Sequence, residues 1–257
     1  MAPSYAPDAG GGPADLGQPS GTVEALVAAA RRRDSGVLLE GVHALKHAVR
    51  FGAGIELVAT PDAGELRRLL DELAPDVVLP VEVTEVSPAH WRRLVPRDLP
   101  SPALAVARRP TDSFAEALAS RTGRVVVLER PRHLGNLGAA VRVAAAAGAA
   151  GLAVVGEADP WHPTAVRSAA GLQFALAVTR VDTLAQTSRP LVAIDPDGQD
   201  LGGAGIDEDA VLLFGTERAG LSPGLRARAD RHVAIPMRPG VSSLNLATAV
   251  GIVLYAR

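Results

Sequence analysis

The chain has 257 residues, of which 47% are hydrophobic, 21% charged and 3% aromatic, and its formal net charge is -2. That balance fits a folded globular protein of one large or two small domains and excludes extended disorder away from the termini. No apolar run reaches the roughly 18 residues of a membrane span, and the absence of cysteine excludes disulfides, thiolate metal sites and thiol nucleophiles.

Residues 1–20 cluster Gly, Pro, Ser and Asp, which predicts a flexible tail, and nothing there reads as a basic-then-apolar leader, so a cytoplasmic location is expected. A short helix over 23–33 follows and ends in Arg31-Arg32-Arg33, a run that suits a solvated helix end or a polyanion contact. A strand is expected at 37–39. Val42, Leu45 and Val49 then mark one face of a helix at three- and four-residue spacing. Next come a strand over 55–60, a helix over 65–73 and a strand over 77–83. A helix capped by Ser87, with Pro88 at its first position, runs through Trp91 to Leu94. A strand over 103–107 completes the unit. The expected division is a tail with a short helix over 1–35, a small α/β domain over 36–110, a linker over 111–122 and a second α/β domain over 123–257.

In that second domain strands are expected at 125–128, 152–155, 176–181, 191–194, 211–214 and 233–235. Helices fit at 137–147, 163–170, 222–229 and from 243 to the end. Such alternation implies a parallel sheet covered on both faces, with ligands at the carboxyl ends of its strands.

Lys46 is the lone lysine among 26 basic residues. Arginine makes planar, bidentate contacts to phosphate, but a GC-rich genome gives the same bias, so position has to decide. The scarcity of aromatics argues against a base-stacking surface, which leaves phosphates and shape to hold any RNA partner.

Gly135-Asn136-Leu137-Gly138 leaves the first strand of the second domain and opens a helix. It looks like a nucleotide-binding turn without the G-x-G-x-x-G spacing. Arg142 interrupts the small apolar run 139–147, and either an ion pair or a phosphate would account for it. Gly220-Leu221-Ser222-Pro223-Gly224 has the letters of a hydrolase nucleophile elbow. Pro223, however, has no N–H to give an oxyanion hole, so Ser222 reads as a helix cap with Pro223 after it. Phe214-Gly215-Thr216-Glu217 presents an acid at a strand end, as a loop anchor or a ligand group. Ile235-Pro236-Met237-Arg238-Pro239-Gly240 is a stiffened loop. Ser242-Ser243-Leu244-Asn245 starts the last helix with side chains that could cap it or hold a ribose or carboxylate. His43, His47, His133, His162 and His232 show no metal spacing, so no metal site is expected.

Three of these segments together resemble the motifs of the SPOUT superfamily, specifically its SpoU/TrmH-type RNA ribose 2'-O-methyltransferases. They are Asn136 to Arg142, Phe214 to Ser222, and Ile235-Pro236-Met237 with Ser243-Leu244-Asn245; order and spacing agree over roughly 123–257. Asp159-Pro160 and Arg167 to Gly171 look like the linking segment, and Glu40-Gly41-Val42-His43-Ala44 is similar to the ribosomal-protein-like RNA-binding domain fused ahead of many members.

The resemblance implies a deep trefoil knot at the C-terminus, an exception to the usual absence of knots. S-adenosylmethionine would bind there, with Gly215, Ile235, Met237 and Leu244 lining its pocket, so that a branched side chain at Gly215 is expected to enter the adenosine site. Arg142, Asn136, Glu217, Ser243 and Asn245 would form the catalytic set, drawn from both chains of a homodimer. Arginine is always protonated, which favours Arg142 as a phosphate anchor that lowers the hydroxyl's pKa over Arg142 as the base. Arg132-His133-Leu134 stands where many relatives carry Asp-Pro, and Arg130, Arg132 and His133 would add an RNA-binding rim; Ser242 stands where relatives often carry an acid. The implied substrate is ribosomal RNA, in a housekeeping or a resistance role. A tRNA methyltransferase and a non-catalytic RNA-binding or assembly protein are the alternatives.

Overall fold

A computed structural model describes residues 20–34, 36–216 and 219–256. Two sheets organise it, and no helix among the described residues is long and apolar enough to cross a membrane.

The first sheet holds β1 (Val37–Glu40), β2 (Ile55–Thr60), β3 (Val83–Glu85) and β4 (Leu104–Ala107) in the order β1-β4-β2-β3. α1 (Ser20–Arg32) covers one face with Val23, Val27 and Ala30, three to four residues apart. α2 (Val42–Arg50) covers the other with Val42, Ala44, Leu45 and Ala48. α3 (Ala63–Leu73) is capped by Asp62, whose carboxylate accepts from the Glu65 N–H at 2.8 Å. Before α4 (Pro88–Leu94), Ser87 accepts from the His90 N–H at 3.2 Å, as its Ser-Pro start leads one to expect. The strand expected at 77–83 is displaced. Pro80 interrupts the run, Val78 is 83% exposed, and only Val83, Thr84 and Glu85 pair, with Val58, Ala59 and Thr60.

The second sheet contains β5 (Val125–Glu129), β6 (Gly151–Val155), β7 (Ala177–Val181), β8 (Leu191–Asp200), β9 (Val211–Phe214) and β10 (Arg231–Ala234). Their order is β10-β8-β9-β5-β6-β7, and every pairing is parallel. Its strands are apolar on both sides. Val126 and Leu128 face the core of α6 (Leu134–Ala146), α7 (Pro163–Ser168) and α10 (Leu246–Tyr255). Val125 and Val127 face α5 (Phe114–Ser120) and α9 (Pro223–Arg228). A short α8 (Leu201–Ala204) follows β8. α5 falls where a connector is expected; its buried Phe114 and Leu118, four residues apart, give the helical signal.

The two sheets share one core. Val37, Leu39, Val42 and Leu45 pack in the same cluster as Leu137, Val141 and Val166. Close polar contacts fix the junction. The His47 Nδ1–H donates to the Ala170 carbonyl at 2.8 Å. Gly171 has φ +74°, and a Cβ there would lie 2.5 Å from the Ala44 carbonyl oxygen. The buried Glu40 carboxylate receives Arg97 and, at 3.0 Å, Arg167. At the far end, the Arg124 guanidinium donates to the Val253 and Leu254 carbonyls at 3.2 and 3.1 Å, closing the C-terminus of α10.

Candidate active site

A cleft opens at the carboxyl ends of β8, β9 and β10, where a parallel sheet is expected to bind ligands. Its walls come from three loops, each shaped by a local irregularity.

β8 runs on to Asp200, beyond the expected end at 194, but its pairing with β10 slips. His232 lies opposite Ala193, and Val233 opposite Gln199. Residues 194–198 are therefore skipped in the pairing with β10, although Ile194 still pairs with Phe214 of β9, and Ile194, Asp195 and Pro196 stand on the cleft wall. Gly198 lets the strands close again, since a Cβ there would stand 2.4 Å from the Val233 nitrogen. Asp195 is held by Arg226 at 2.7 Å, with His232 Nδ1 at 3.5 Å.

The loop after β9 folds back on itself through paired hydrogen bonds between Thr216 and Gly220, each 3.0 Å. Gly215 explains the tight return. Its Cβ would sit 2.0 Å from the Gly220 carbonyl carbon and 2.2 Å from the Leu221 nitrogen. This corrects the expectation of a side chain entering the pocket: a substituent at Gly215 meets the loop's own main chain. Glu217 lies outside the described residues.

The third wall follows β10. The last helix starts at Leu246, not at Ser243, because Asn245 is its cap. The Asn245 Oδ1 accepts from the Ala247 and Thr248 N–H groups at 3.0 and 3.4 Å. Ser242, Ser243 and Leu244 are thereby left in a loop that lines the cleft with Gly215, Ile235 and Met237. The Asn245 amide also donates to Asn136 Oδ1 at 3.0 Å, which ties the first motif to the third.

Glu129 escapes the sequence reading. It is buried at the end of β5, and its Oε2 accepts from the Ser222 N–H at 2.7 Å, fastening the second motif's loop to the strand that leads into the first. An acid ending the apolar run Val125 to Leu128 was the available signal, since a buried carboxylate needs donors. Ser222 is the cap of α9, accepting from the Leu225 N–H at 3.3 Å, with Pro223 next; the elbow reading is excluded.

Arg142 is not in this cleft. It is exposed on α6, six residues and about 9 Å of helix rise beyond Asn136. It lines a second cleft with Glu40, Gly41, His43, Ser101 and Arg167, where α2 meets α6 and α7. Among the described residues no carboxylate pairs with it, and Glu40 is already shared by Arg97 and Arg167. Burial, then the nearby Lys46 and Arg142 charges, lower the pKa of His43 below its ordinary value. Arg130, Arg132 and His133 are exposed ahead of α6; Arg130 has φ +45° and lies 3.6 Å from Glu129 Oε1.

Residues 123–255 match the family model of the SpoU rRNA Methylase family. The chain is 32% identical over 240 residues to the 23S rRNA (uridine(2479)-2'-O)-methyltransferase of Streptomyces viridochromogenes, covering 88% of this chain and 83% of that one. It is 32% identical over 232 residues to the 23S rRNA (adenosine(1067)-2'-O)-methyltransferase of Streptomyces laurentii, covering 86% and 85%. Among solved structures, the SpoU methyltransferase AviRb from Streptomyces viridochromogenes, in complex with the cofactor AdoMet, aligns with a TM-score of 0.74 at 29% identity. That alignment covers 92% of this chain and 95% of AviRb.

Proposed function

The chain belongs to the SpoU rRNA Methylase family, and from that premise we propose that it methylates a ribose 2'-hydroxyl of ribosomal RNA, with S-adenosylmethionine as methyl donor. The observation that carries the reading is the convergence of all three motif segments on one sheet edge, with Asn136 bonded to Asn245 beside the cleft lined by Gly215, Ile235, Met237, Ser243 and Leu244.

The cleft suits the cofactor. Ile194, Phe214, Ile235 and Leu244 offer apolar walls for a purine, while Asp195, Thr216, Ser242 and Ser243 offer polar groups for hydroxyls or an amine. Gly215 and Gly220 bring main-chain groups into the wall, so recognition falls largely to the backbone. When bound, the cofactor supplies an already activated methyl on a sulfonium. What remains for the protein is to align the hydroxyl and ease its proton away. Asn245, fixed as the cap of α10, and Ser243, in the cleft-lining loop just before it, are suited to alignment, which can be worth about 7–11 kcal/mol. Arg142 remains protonated and acts by holding the phosphate beside the target and stabilising the developing alkoxide. Glu217 completes the proposed set.

Arg142 lies apart from the cofactor cleft on its own chain, which favours a homodimer whose two copies complete each site. Ile252 and Tyr255, exposed at 39% and 62% on the otherwise apolar α10, suit such an interface. The trefoil knot is inferred on similar grounds. After β10 at one edge of the sheet, the chain returns past the 214–220 loop to pack α10 along α6, which connects β5 to β6 in the other half of the sheet. Residues 36–110 would form the RNA-binding domain, 111–122 the linker and 123–257 the methyltransferase domain, with Arg130, Arg132 and His133 as a rim for RNA. All of this chemistry belongs to the cytoplasm.

Ribosomal RNA is preferred because several relatives that match most of the chain are named 23S rRNA 2'-O-methyltransferases. The test incubates the protein with labelled S-adenosylmethionine and separate 23S rRNA, 16S rRNA and tRNA pools, then maps the product. Label at a 2'-hydroxyl of 23S rRNA is expected. Label in tRNA alone would overturn the substrate, and label nowhere the activity.

A further inference from the structure

Apart from Arg142, the residues of the second cleft, where α2 meets α6 and α7, have no assigned role. It joins parts far apart in the sequence: Gly41 and His43 at the start of α2, Ser101 before β4, Arg142 on α6 and Arg167 on α7. Its charges are unbalanced. Glu40 is the acid in the lining, and its carboxylate is committed to Arg97 and Arg167, which leaves Arg142 uncompensated among the described residues. His43 faces this excess, with Lys46 on its own helix and Arg142 across the gap. Like charges held together without a counter-charge raise the free energy of the empty site and lower it for an anion that enters.

The cleft is also rigid. His47 bonds to Ala170, Gly171 lets Ala44 approach, and Glu40 bridges to Arg167, so α2 is pinned against the segment that flanks Arg142. The Val42 N–H donates to Ser101 Oγ at 2.8 Å, and Gly41 has φ +87°, which only a residue without a Cβ adopts readily. A pre-formed cationic notch of this kind fixes a backbone phosphate and so sets the register of a strand, without reading its bases.

We propose that this cleft binds one phosphodiester of the RNA substrate between Arg142 and His43, so that His43 is a substrate-positioning residue contributed by the first sheet to the active site. The proposal rests on Arg142 serving the methyl transfer proposed above. Arg142 supplies the charge and can present two N–H groups in a plane; His43, uncharged at neutral pH, supplies a single N–H. The junction thus sets the distance between the phosphate notch and Asn136 through one continuous helix, α6.

The experiment follows the imidazole resonances of the full-length protein, labelled at histidine, with His43→Gln used to assign the signal. The probes are a short mixed-sequence single-stranded RNA and the same sequence with neutral methylphosphonate linkages. The His43 resonance is expected to shift with the phosphodiester RNA, its pKa rising as the anion offsets Lys46 and Arg142, and to stay in place with the neutral backbone. His43→Ala should raise KM for 23S rRNA by roughly 3- to 10-fold, the scale of one hydrogen bond, with kcat and cofactor affinity nearly unchanged. An unmoved His43 resonance while RNA binds, an equal shift with the neutral backbone, or no RNA binding at all would overturn the proposal. If instead calorimetry finds no S-adenosylmethionine binding to the wild-type protein, the proposed activity fails, and the RNA titration still judges the notch by itself.

Discussion

Two clefts flank α6, and they are made in different ways. At the ends of β8, β9 and β10 the walls are main chain brought close by glycine: Gly198 against Val233, and Gly215 against Gly220 and Leu221. At the α2–α6–α7 junction the walls are charged side chains, Glu40 at the end of β1 and Arg142 and Arg167 on α6 and α7, with His43 on α2, all on elements that are themselves tightly packed. A cleft built from backbone has no tolerance for added atoms, because a main chain cannot swing aside as a side chain can. One built from charge loses function gradually, residue by residue, and answers to salt and pH.

The sharpest way to break the contrast is Gly215→Val. A Cβ 2.0 Å from the Gly220 carbonyl carbon cannot be accommodated without rebuilding the loop, a strain of about 1–3 kcal/mol or more. Cofactor binding by calorimetry is expected to vanish, with a lower melting temperature. The single methyl of Gly215→Ala should do nearly the same, since it is the Cβ that collides. If Gly215→Ala melts and binds like the wild type, the backbone-walled cleft is wrong.

Arg142→Ala should act in the opposite sense. With no described carboxylate pairing with it, its loss should leave the melting temperature unchanged. Single-turnover methyl transfer is expected to fall about 10²–10³-fold, the usual cost of one preorganised electrostatic donor, with cofactor affinity retained. Arg142→Lys should rescue poorly, because an ammonium cannot make the planar two-point contact. A melting temperature that falls along with activity would turn Arg142 back into a helix-holding residue, whereas a stable Arg142→Ala protein with wild-type turnover would remove Arg142 from the catalytic set.

The same contrast explains what could be seen in the sequence. Alternating apolar strands and periodic helices gave the parallel α/β architecture, because each residue's burial follows from a local period: Val125 and Val127 face one side, Val126 and Leu128 the other. The three motif loops could be located by their Gly, Pro and Asn content. Their shape could not, because it depends on partners distant in the chain. Asp195-Pro196-Asp197-Gly198 reads as a turn ending a strand, yet β8 continues because β10 re-pairs with it after the bulge. Ser243 reads as the helix start, yet Asn245 wins the cap by accepting from two N–H groups. Likewise Glu129 passes for a strand-end charge until Ser222, 93 residues on, donates to it. That Arg142 and His43 face one cleft rests entirely on the docking of the two sheets.

The smallest expected effect tests that docking through pH. His47 lies in the junction, its Nδ1–H given to the Ala170 carbonyl. Burial lowers its pKa below the ordinary 6.5; the Ala170 bond opposes that, and the Lys46, Arg50 and Arg142 charges add to the lowering. The sign follows from linkage. The unfolded chain holds its proton to a higher pH than the folded one, so the unfolded state binds more protons and stability rises with pH. The stabilisation is therefore complete above the ordinary imidazole range and is lost as pH falls below it. Melting temperature should stay flat from about pH 8 to about pH 7 and decline toward about pH 5.5, above the range in which most carboxylates protonate. His43 and His162, also lowered by burial, add to the same decline, so the diagnostic is a difference between proteins. His47→Asn places an uncharged amide donor near the Nδ1 position and should flatten the curve while keeping neutral-pH stability close to the wild type. His47→Ala should lose the neutral-pH stability as well, since it leaves the Ala170 carbonyl without this donor. If His47→Asn keeps the wild-type slope, the imidazole at the junction is not what acid acts on, and the pinning of α2 against the Arg142 segment has to come from Gly171 and Glu40 alone.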